Sequence, residues 1–204
     1  MCSSDLLELA RRGWTVAATA RRAEELQALA QEAAGDGRHI LVYPGDVTDR
    51  AAQAFLVARI ETELGPIALA MLNAGGNYAE APGEFFGDRF RATFALNFDG
   101  VLNGLAPLVS RMKQRGRGQI ALMASIAGYA GMPRNAAYSA SKAAVIVMGE
   151  SMRGALARVG VTLQVINPGF VATPLTDRYT GSMPFLMSAE EAARRICDGF
   201  ERKG

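Results

Sequence analysis

Tyr138 and Lys142 stand in a Tyr-x-x-x-Lys spacing within Tyr138-Ser139-Ala140-Ser141-Lys142. On a helix, residues at this spacing stack on one face. A free phenol has a pKa of about 10 and shuttles protons poorly at neutral pH. A fixed ammonium beside it favours the phenolate and lowers that value. The pair therefore reads as a general acid/base. Upstream, the Ser125 hydroxyl could hold a carbonyl or alcohol oxygen beside the phenol. The same spacing also occurs on ordinary helices, so the reading depends on what the rest of the chain brings to these residues.

Along the 204 residues, apolar runs alternate with helical patterns. The sequence predicts strands at Trp14–Ala20, Ile40–Tyr43, Ile67–Leu72, Gln119–Ala124 and Val161–Ile166. Helices are predicted up to Gly13, over Arg22–Ala34, Asp49–Leu64, Gly87–Arg115 and Ala136–Val159, and after Ser188. Pro107 is expected to kink the long fourth helix. Near-continuous apolar strands alternating with helices argue for an α/β parallel sheet covered on both faces. Each distinctive polar cluster follows a strand: Arg21, Asp46, Asn73, Ser125 and Asn167. Open parallel sheets bind ligands beyond the carboxyl ends of their strands. These residues are therefore expected along one rim, with Tyr138 and Lys142.

Half of the residues are hydrophobic and 21% are charged. That composition fits one globular domain over residues 1–204. The formal net charge of +2 gives no argument for nucleic acid or an anionic membrane. Arg111, Lys113, Arg115 and Arg117 read as a solvated helix end rather than a binding patch. His39 is the sole histidine, and Cys2 and Cys197 form no zinc or disulfide pattern. No metal is expected. No apolar run reaches the roughly 18 residues of a membrane span, and no signal-peptide pattern opens the chain. The expectation is a cytoplasmic enzyme.

Asn73-Ala74-Gly75, Asn97 in the long helix, Ser125, Tyr138-x-x-x-Lys142, and Pro168-Gly169 followed by Thr173 occur in that order. In this combination the whole chain resembles a short-chain dehydrogenase/reductase of the compact type. The resemblance implies a Rossmann-like, doubly wound parallel sheet in three layers. It implies that Tyr138 is the acid/base and that Ser125 hydrogen-bonds the same substrate oxygen. Lys142 would lower the phenol's pKa and bind the nicotinamide ribose, and Tyr138 would also touch the cofactor. Asn97 would hold a water linking Lys142 to solvent; a polar residue bending the long helix is the alternative. Asn73, Ala74 and Gly75 would lie beside the cofactor, Gly75 allowing close backbone approach. Pro168, Gly169, Val171 and Thr173 would receive the nicotinamide carboxamide. Asp46 and Val47 would contact the adenine, although Asp46 can equally cap a helix.

NAD-using dinucleotide folds place an acid after the second strand. Here the corresponding strand runs into Thr19-Ala20-Arg21-Arg22, with no acid. Arginine can instead pair with the 2′-phosphate of NADP. NADP is therefore expected over NAD, with exposed helix-start arginines as the plain alternative. The substrate would be a small carbonyl or alcohol, and the family implies a homodimer or homotetramer. Met183 to Met187 form an apolar stretch that in the family lines or covers the substrate pocket; ordinary packing explains it equally. Gly76, Asn77 and Tyr78 could border the same pocket.

The family begins with a central strand and a glycine-rich turn that seats the pyrophosphate at a helix N-terminus. The residues before Gly13 do not carry that pattern, and the family's last edge strand is likewise not matched after Gly204. The expectation is a chain lacking both strands. The rival is a smaller sheet in which Trp14–Ala20 pairs directly with Ile67–Leu72. Functionally, the alternative to an NADP-dependent oxidoreductase is a non-catalytic chain that binds no cofactor and acts through association.

Overall fold

The computed structural model describes residues 2–78, 87–177, 179 and 181–201. In chain order the elements are α1 (Cys2–Arg11), β1 (Val16–Ala18), α2 (Ala23–Gly35), β2 (Ile40–Val42), α3 (Arg50–Leu64), β3 (Leu69–Leu72) and α4 (Asp88–Phe94). A π-helix (Ala95–Asp99) follows, then α5 (Gly100–Arg115), β4 (Gly118–Met123), a 3-10 turn (Ile126–Gly128), α6 (Ala136–Ala157), β5 (Val161–Ile166) and α7 (Ala189–Glu201). Strands and helices alternate as the apolar pattern predicts, and every strand pair is parallel. The fold is α/β with Rossmann-like parallel sheets. Among the described residues β1 pairs with β2, while β3, β4 and β5 form a second sheet.

The chain divides into two compact units, Asp46–Asn167 and Met1–Gly45 with Pro168–Gly204. In the second of these, α1 is followed by Gly13, whose φ of +85° is a left-handed conformation that glycine adopts without a Cβ penalty. Helix α7 packs on α1 through Ala192, Ala193, Ile196 and Cys197, all buried. Burial pushes the Cys197 thiol up to about 11, so it is unreactive at neutral pH. Arg12 clamps the two helices. Its guanidinium donates to Glu8 of α1 at 2.8 Å, and to Asp198 and Glu201 of α7 at 2.6 and 2.8 Å.

Hydrogen bonds from Arg11 and Arg12 hold the Glu8 carboxyl down at about 2 against the opposing effect of burial. The unfolded value is about 4.3. The stability that Glu8 contributes is thus fully present above that value and is lost as pH falls toward 2. Arg12→Ala is expected to cost between the ~0.5 kcal/mol of an exposed ion pair and the ~3 kcal/mol of a buried one. Thermal melting measures that cost. Faster amide exchange confined to α7 would locate it, and unchanged exchange there would refute the clamp.

In the unit Asp46–Asn167, β4 lies between β3 and β5, with Leu72 opposite Leu122 and Met123 opposite Ile166. Ile120, Ala121 and Leu122 expose no surface, as expected for a strand flanked on both sides and covered on both faces. Around them pack Leu105, Leu108 and Met112 of α5 and Val145 and Ile146 of α6. The basic end of α5 is not simply solvated. Arg111 and Arg115 donate to Glu61 of α3 at 3.0 and 2.6 Å, and the same carboxylate accepts the Ile67 N–H at 3.1 Å. Burial acts to raise the Glu61 carboxyl, but these donors outweigh it and leave it lowered.

The long helix departs from its expected form. Helix α5 continues through Pro107. The change in hydrogen bonding falls instead at Ala95–Asp99, a π-helix centred on Asn97. Such a turn holds one more residue per hydrogen-bonded loop than α-helix and is frequent at functional sites. Among the described residues no helix is long and apolar enough to cross a membrane.

Candidate active site

Strand β4 delivers Ser125 just past its carboxyl end. Ser125 is extended (φ −171°, ψ 153°) and caps the 3-10 turn, its hydroxyl accepting the Ala127 N–H at 3.2 Å. That turn lies hard against α6. A Cβ on Gly128 would stand 2.9 Å from both Ala143 N and Lys142 C, and 2.7 Å from Ile146 Cδ1. Glycine permits this approach, and the Ser125 hydroxyl at the head of the turn is hydrogen-bonded to the Tyr138 phenol.

Tyr138 and Lys142 share the inner face of α6, as their spacing predicts. Lys142 is 3% exposed. Its ammonium donates to the Met123 carbonyl at 2.7 Å and lies 5.8 Å from the centre of the Tyr138 ring. The expected lowering of the phenol is not what this structure gives. Burial is the dominant influence and raises the Tyr138 hydroxyl above its ordinary value, with the Ser125 hydrogen bond acting in the opposite sense. At neutral pH the phenol is therefore protonated.

Asn97 exposes no surface. Its Oδ1 accepts the Gly76 N–H at 2.8 Å, and its Nδ2 donates to the Gly76 carbonyl at 3.0 Å and to Ser141 Oγ at 3.0 Å. Both amide hydrogens are thus used within the protein, and the side chain ties the loop after β3 to α6. The proposed water-holding role does not draw on these donors. A second tie joins the same two elements, Asn77 Nδ2 donating to Asn135 Oδ1 at the start of α6.

Asn73 and Ala74 follow β3 and are half-buried, and Gly75 is exposed. A Cβ on Gly75 would lie 3.2 Å from Lys142 Nζ and 3.3 Å from Asn97 Oδ1. An exposed backbone without a side chain, backed by a buried ammonium, suits the ribose and nicotinamide end of a dinucleotide. Asp46 forms a turn, its Oδ1 accepting the Thr48 N–H at 2.9 Å and the Thr48 hydroxyl at 2.8 Å. Asp49, not Asp46, caps α3. Gln53 Nε2 donates to the Asp46 carbonyl at 3.2 Å and Asn103 Nδ2 to that of Val47 at 2.9 Å. The turn is therefore held by α3 and α5.

In the unit Met1–Gly45 with Pro168–Gly204, Arg21 and Arg22 are exposed after β1, and Arg22 pairs with Glu25 at 2.6 Å. Pro168 is half-buried and Gly169 exposed. Val171 forms a bridge with Met187. The Thr176 hydroxyl donates to the Val171 and Thr173 carbonyls and accepts the Thr173 N–H at 3.0 Å. Phe185 is 95% exposed, so ordinary core packing does not explain that residue of the apolar stretch.

Sequence reasoning did not assign Ser141 or Thr176. Ser141 carried a usable signal: it lies three residues after Tyr138, where a hydroxyl on a helix can reach back to a carbonyl. Thr176 carried none, because its partners depend on the fold of the loop. Asn167, beyond β5, donates from Nδ2 to the Tyr129 hydroxyl at 3.0 Å.

Ser125, Tyr138 and Lys142 thus lie together beyond the carboxyl end of β4 in an α/β fold, and comparison with known proteins identifies the family. The chain belongs to the short-chain dehydrogenase family, whose pattern it matches over residues 6–183. It is 35% identical over 196 residues to an uncharacterized oxidoreductase of Myxococcus xanthus, covering 96% of this chain and 78% of that one. It is 32% identical to 2,3-dihydro-2,3-dihydroxybenzoate dehydrogenase of Bacillus subtilis, covering 82% of this chain and 64% of that one. The NADP-dependent (R)-specific alcohol dehydrogenase of Lentilactobacillus kefiri is 34% identical over 67% of this chain and 56% of its own length. Among solved structures, a variant of the actinorhodin polyketide ketoreductase with NADPH superposes with a TM-score of 0.87 at 25% identity. That match covers 96% of this chain and 84% of the ketoreductase.

Proposed function

We propose that this oxidoreductase interconverts a carbonyl and a secondary alcohol with NADP, Tyr138 acting as acid/base. The observation that carries the reading is the hydrogen bond between Ser125 and Tyr138 beside a buried Lys142. When bound, NADP supplies or accepts the hydride. Ser125 and Tyr138 hold one substrate oxygen through their hydroxyls. In reduction the phenol gives its proton to that oxygen; in oxidation it takes it back. Burial keeps the phenol protonated at neutral pH, which is the form reduction needs. Asn73, Ala74, Gly75 and Lys142 would hold the nicotinamide and ribose end, and Asp46 and Val47 the adenine. Arg21 and Arg22 would meet the 2′-phosphate. Pro168, Gly169, Val171 and Thr173 would face the carboxamide. Exposed Leu102 on α5 and Val147 on α6 support association into a homodimer or homotetramer, which light scattering measures.

NADPH fluorescence titration, followed by a panel of ketones and aldehydes, tests the reading. Saturable binding and carbonyl-dependent NADPH oxidation are expected. Absence of binding by fluorescence and by melting would overturn it in favour of a non-catalytic, associating chain. The double replacement of Arg21 and Arg22 by alanine is expected to weaken NADPH about 10-fold or more, the loss of a charge-assisted hydrogen bond. NADH affinity should stay within about twofold, because it lacks the 2′-phosphate those arginines would meet. An equal loss for both cofactors would remove the phosphate role.

A further inference from the structure

We propose that Ser141 is a positioning residue that joins the Asn97 amide to the backbone of Tyr138, fixing the phenol and Lys142 in register with the loop after β3. The inference rests on the reading of Tyr138 as the acid/base.

Ser141 is wholly buried. Its hydroxyl donates to the Tyr138 carbonyl at 2.8 Å and accepts from Asn97 Nδ2 at 3.0 Å. In an α-helix the Tyr138 carbonyl also serves the N–H four residues on, which belongs to Lys142. Ser141 therefore grips the carbonyl that accepts the Lys142 N–H within the helix. Beyond Asn97 the connection continues to both backbone groups of Gly76, at 2.8 and 3.0 Å. It runs from the loop after β3, through the π-helix, to the first turns of α6.

The chain of bonds has one consistent direction. The single Ser141 proton goes to a carbonyl, so its oxygen can only accept from Asn97. The Asn97 amide must then present NH2 to Ser141 and oxygen to the Gly76 N–H. Turning the amide over would set two donors face to face at Gly76. A hydroxyl that bonds back to its own helix contributes little to helix stability. Full burial combined with a second bond to a different element is what a positioning role requires.

Ser141→Ala leaves a buried Asn97 N–H without its acceptor and releases α6 from the π-helix. Three readings separate position from mere stability. Amide exchange at Gly76 should quicken about 10-fold or more, the equivalent of one hydrogen bond. The phenol titration, isolated by subtracting the ultraviolet pH titration of Tyr138→Phe, should move upward as the Ser125 contact loosens. Carbonyl turnover should fall about 10-fold at nearly constant NADPH KM, the same loss read as a barrier. Ser141→Cys keeps a weak donor and acceptor of similar size and should recover part of each, and it serves in place of the alanine variant should that one not fold. Leu156→Ala, in the distal half of α6, is the stability control; it should lower the melting temperature and leave all three readings in place.

A Ser141→Ala protein that loses only melting temperature, as Leu156→Ala does, would overturn the proposal. If the parent chain turns over no carbonyl, the proposed activity fails, yet exchange and titration still decide the role of Ser141.

Discussion

Replacing Tyr138 with phenylalanine is expected to lower carbonyl reduction by about 10²–10⁴-fold, the usual contribution of a positioned acid/base. The ring stays, so its packing within α6 and its place beside the Lys142 ammonium are preserved. NADPH affinity should change by less than about 10-fold, since one hydroxyl contact accounts for at most one hydrogen bond. Loss of turnover with binding retained is the signature of a group that acts on the reacting oxygen. The pH dependence follows from the raised phenol. Reduction requires the protonated form, so its rate should be flat near neutrality and fall as pH climbs through the phenol's value. Oxidation requires the phenolate and should rise over the same interval. Steady-state rates measured in both directions across alkaline pH check the pair of trends. Full turnover in the phenylalanine variant, or a reduction rate that rises with pH, would exclude Tyr138 from proton transfer.

Gly128→Ala is expected to damage the site without touching any reacting group. The new Cβ would meet the backbone of Lys142 and Ala143 at 2.9 Å, and backbone cannot swing aside as a side-chain tip does. The 3-10 turn must lift away from α6. Overpacking of this kind costs about 1–3 kcal/mol, which for a chain of this size corresponds to roughly 2–4 °C of melting temperature per kcal/mol. The lifted turn carries Ser125 with it and breaks its hydrogen bond to Tyr138. Turnover should therefore drop by about 10-fold or more, the barrier equivalent of one hydrogen bond. The combination of a modest melting shift with a large kinetic one is the expected result. A variant that melts lower yet turns over normally would show that the turn's closeness serves packing alone.

Much of the architecture was legible because its signals are local. Five apolar runs became five parallel strands: β1 to β3 are shortened at one end or both, β4 starts and stops one residue earlier, and β5 has the expected bounds; the helix patterns, the π-helix apart, fell where predicted. Tyr138, Lys142 and Ser125 come together because helix spacing and strand ends are local rules. What escaped depends on tertiary partners. Pro107 suggested a kink, but the irregularity lies at Ala95–Asp99 around Asn97, which the sequence offered only as an alternative bend; its three hydrogen bonds to Gly76 and Ser141 could not be read from it. A lysine four residues from a tyrosine suggested a lowered phenol. Spacing alone does not disclose that the ring is buried deeply enough for desolvation to dominate. Arg111 and Arg115 read as a solvent-facing cluster because their acceptor, Glu61, lies on a different helix.

The π-helix at Ala95–Asp99 also governs which changes of length the chain can absorb. The extra residue is held within one widened turn, so removing it would close the turn to ordinary helix while α4 and α5 kept their facing. The change would be local: Asn97 would no longer be presented to Gly76 and Ser141, and both ties would be lost together. A loop commonly tolerates the loss of one residue. Here the same loss would undo both ties rather than merely trim the chain, so relatives that keep this site are expected to keep the extra residue as well.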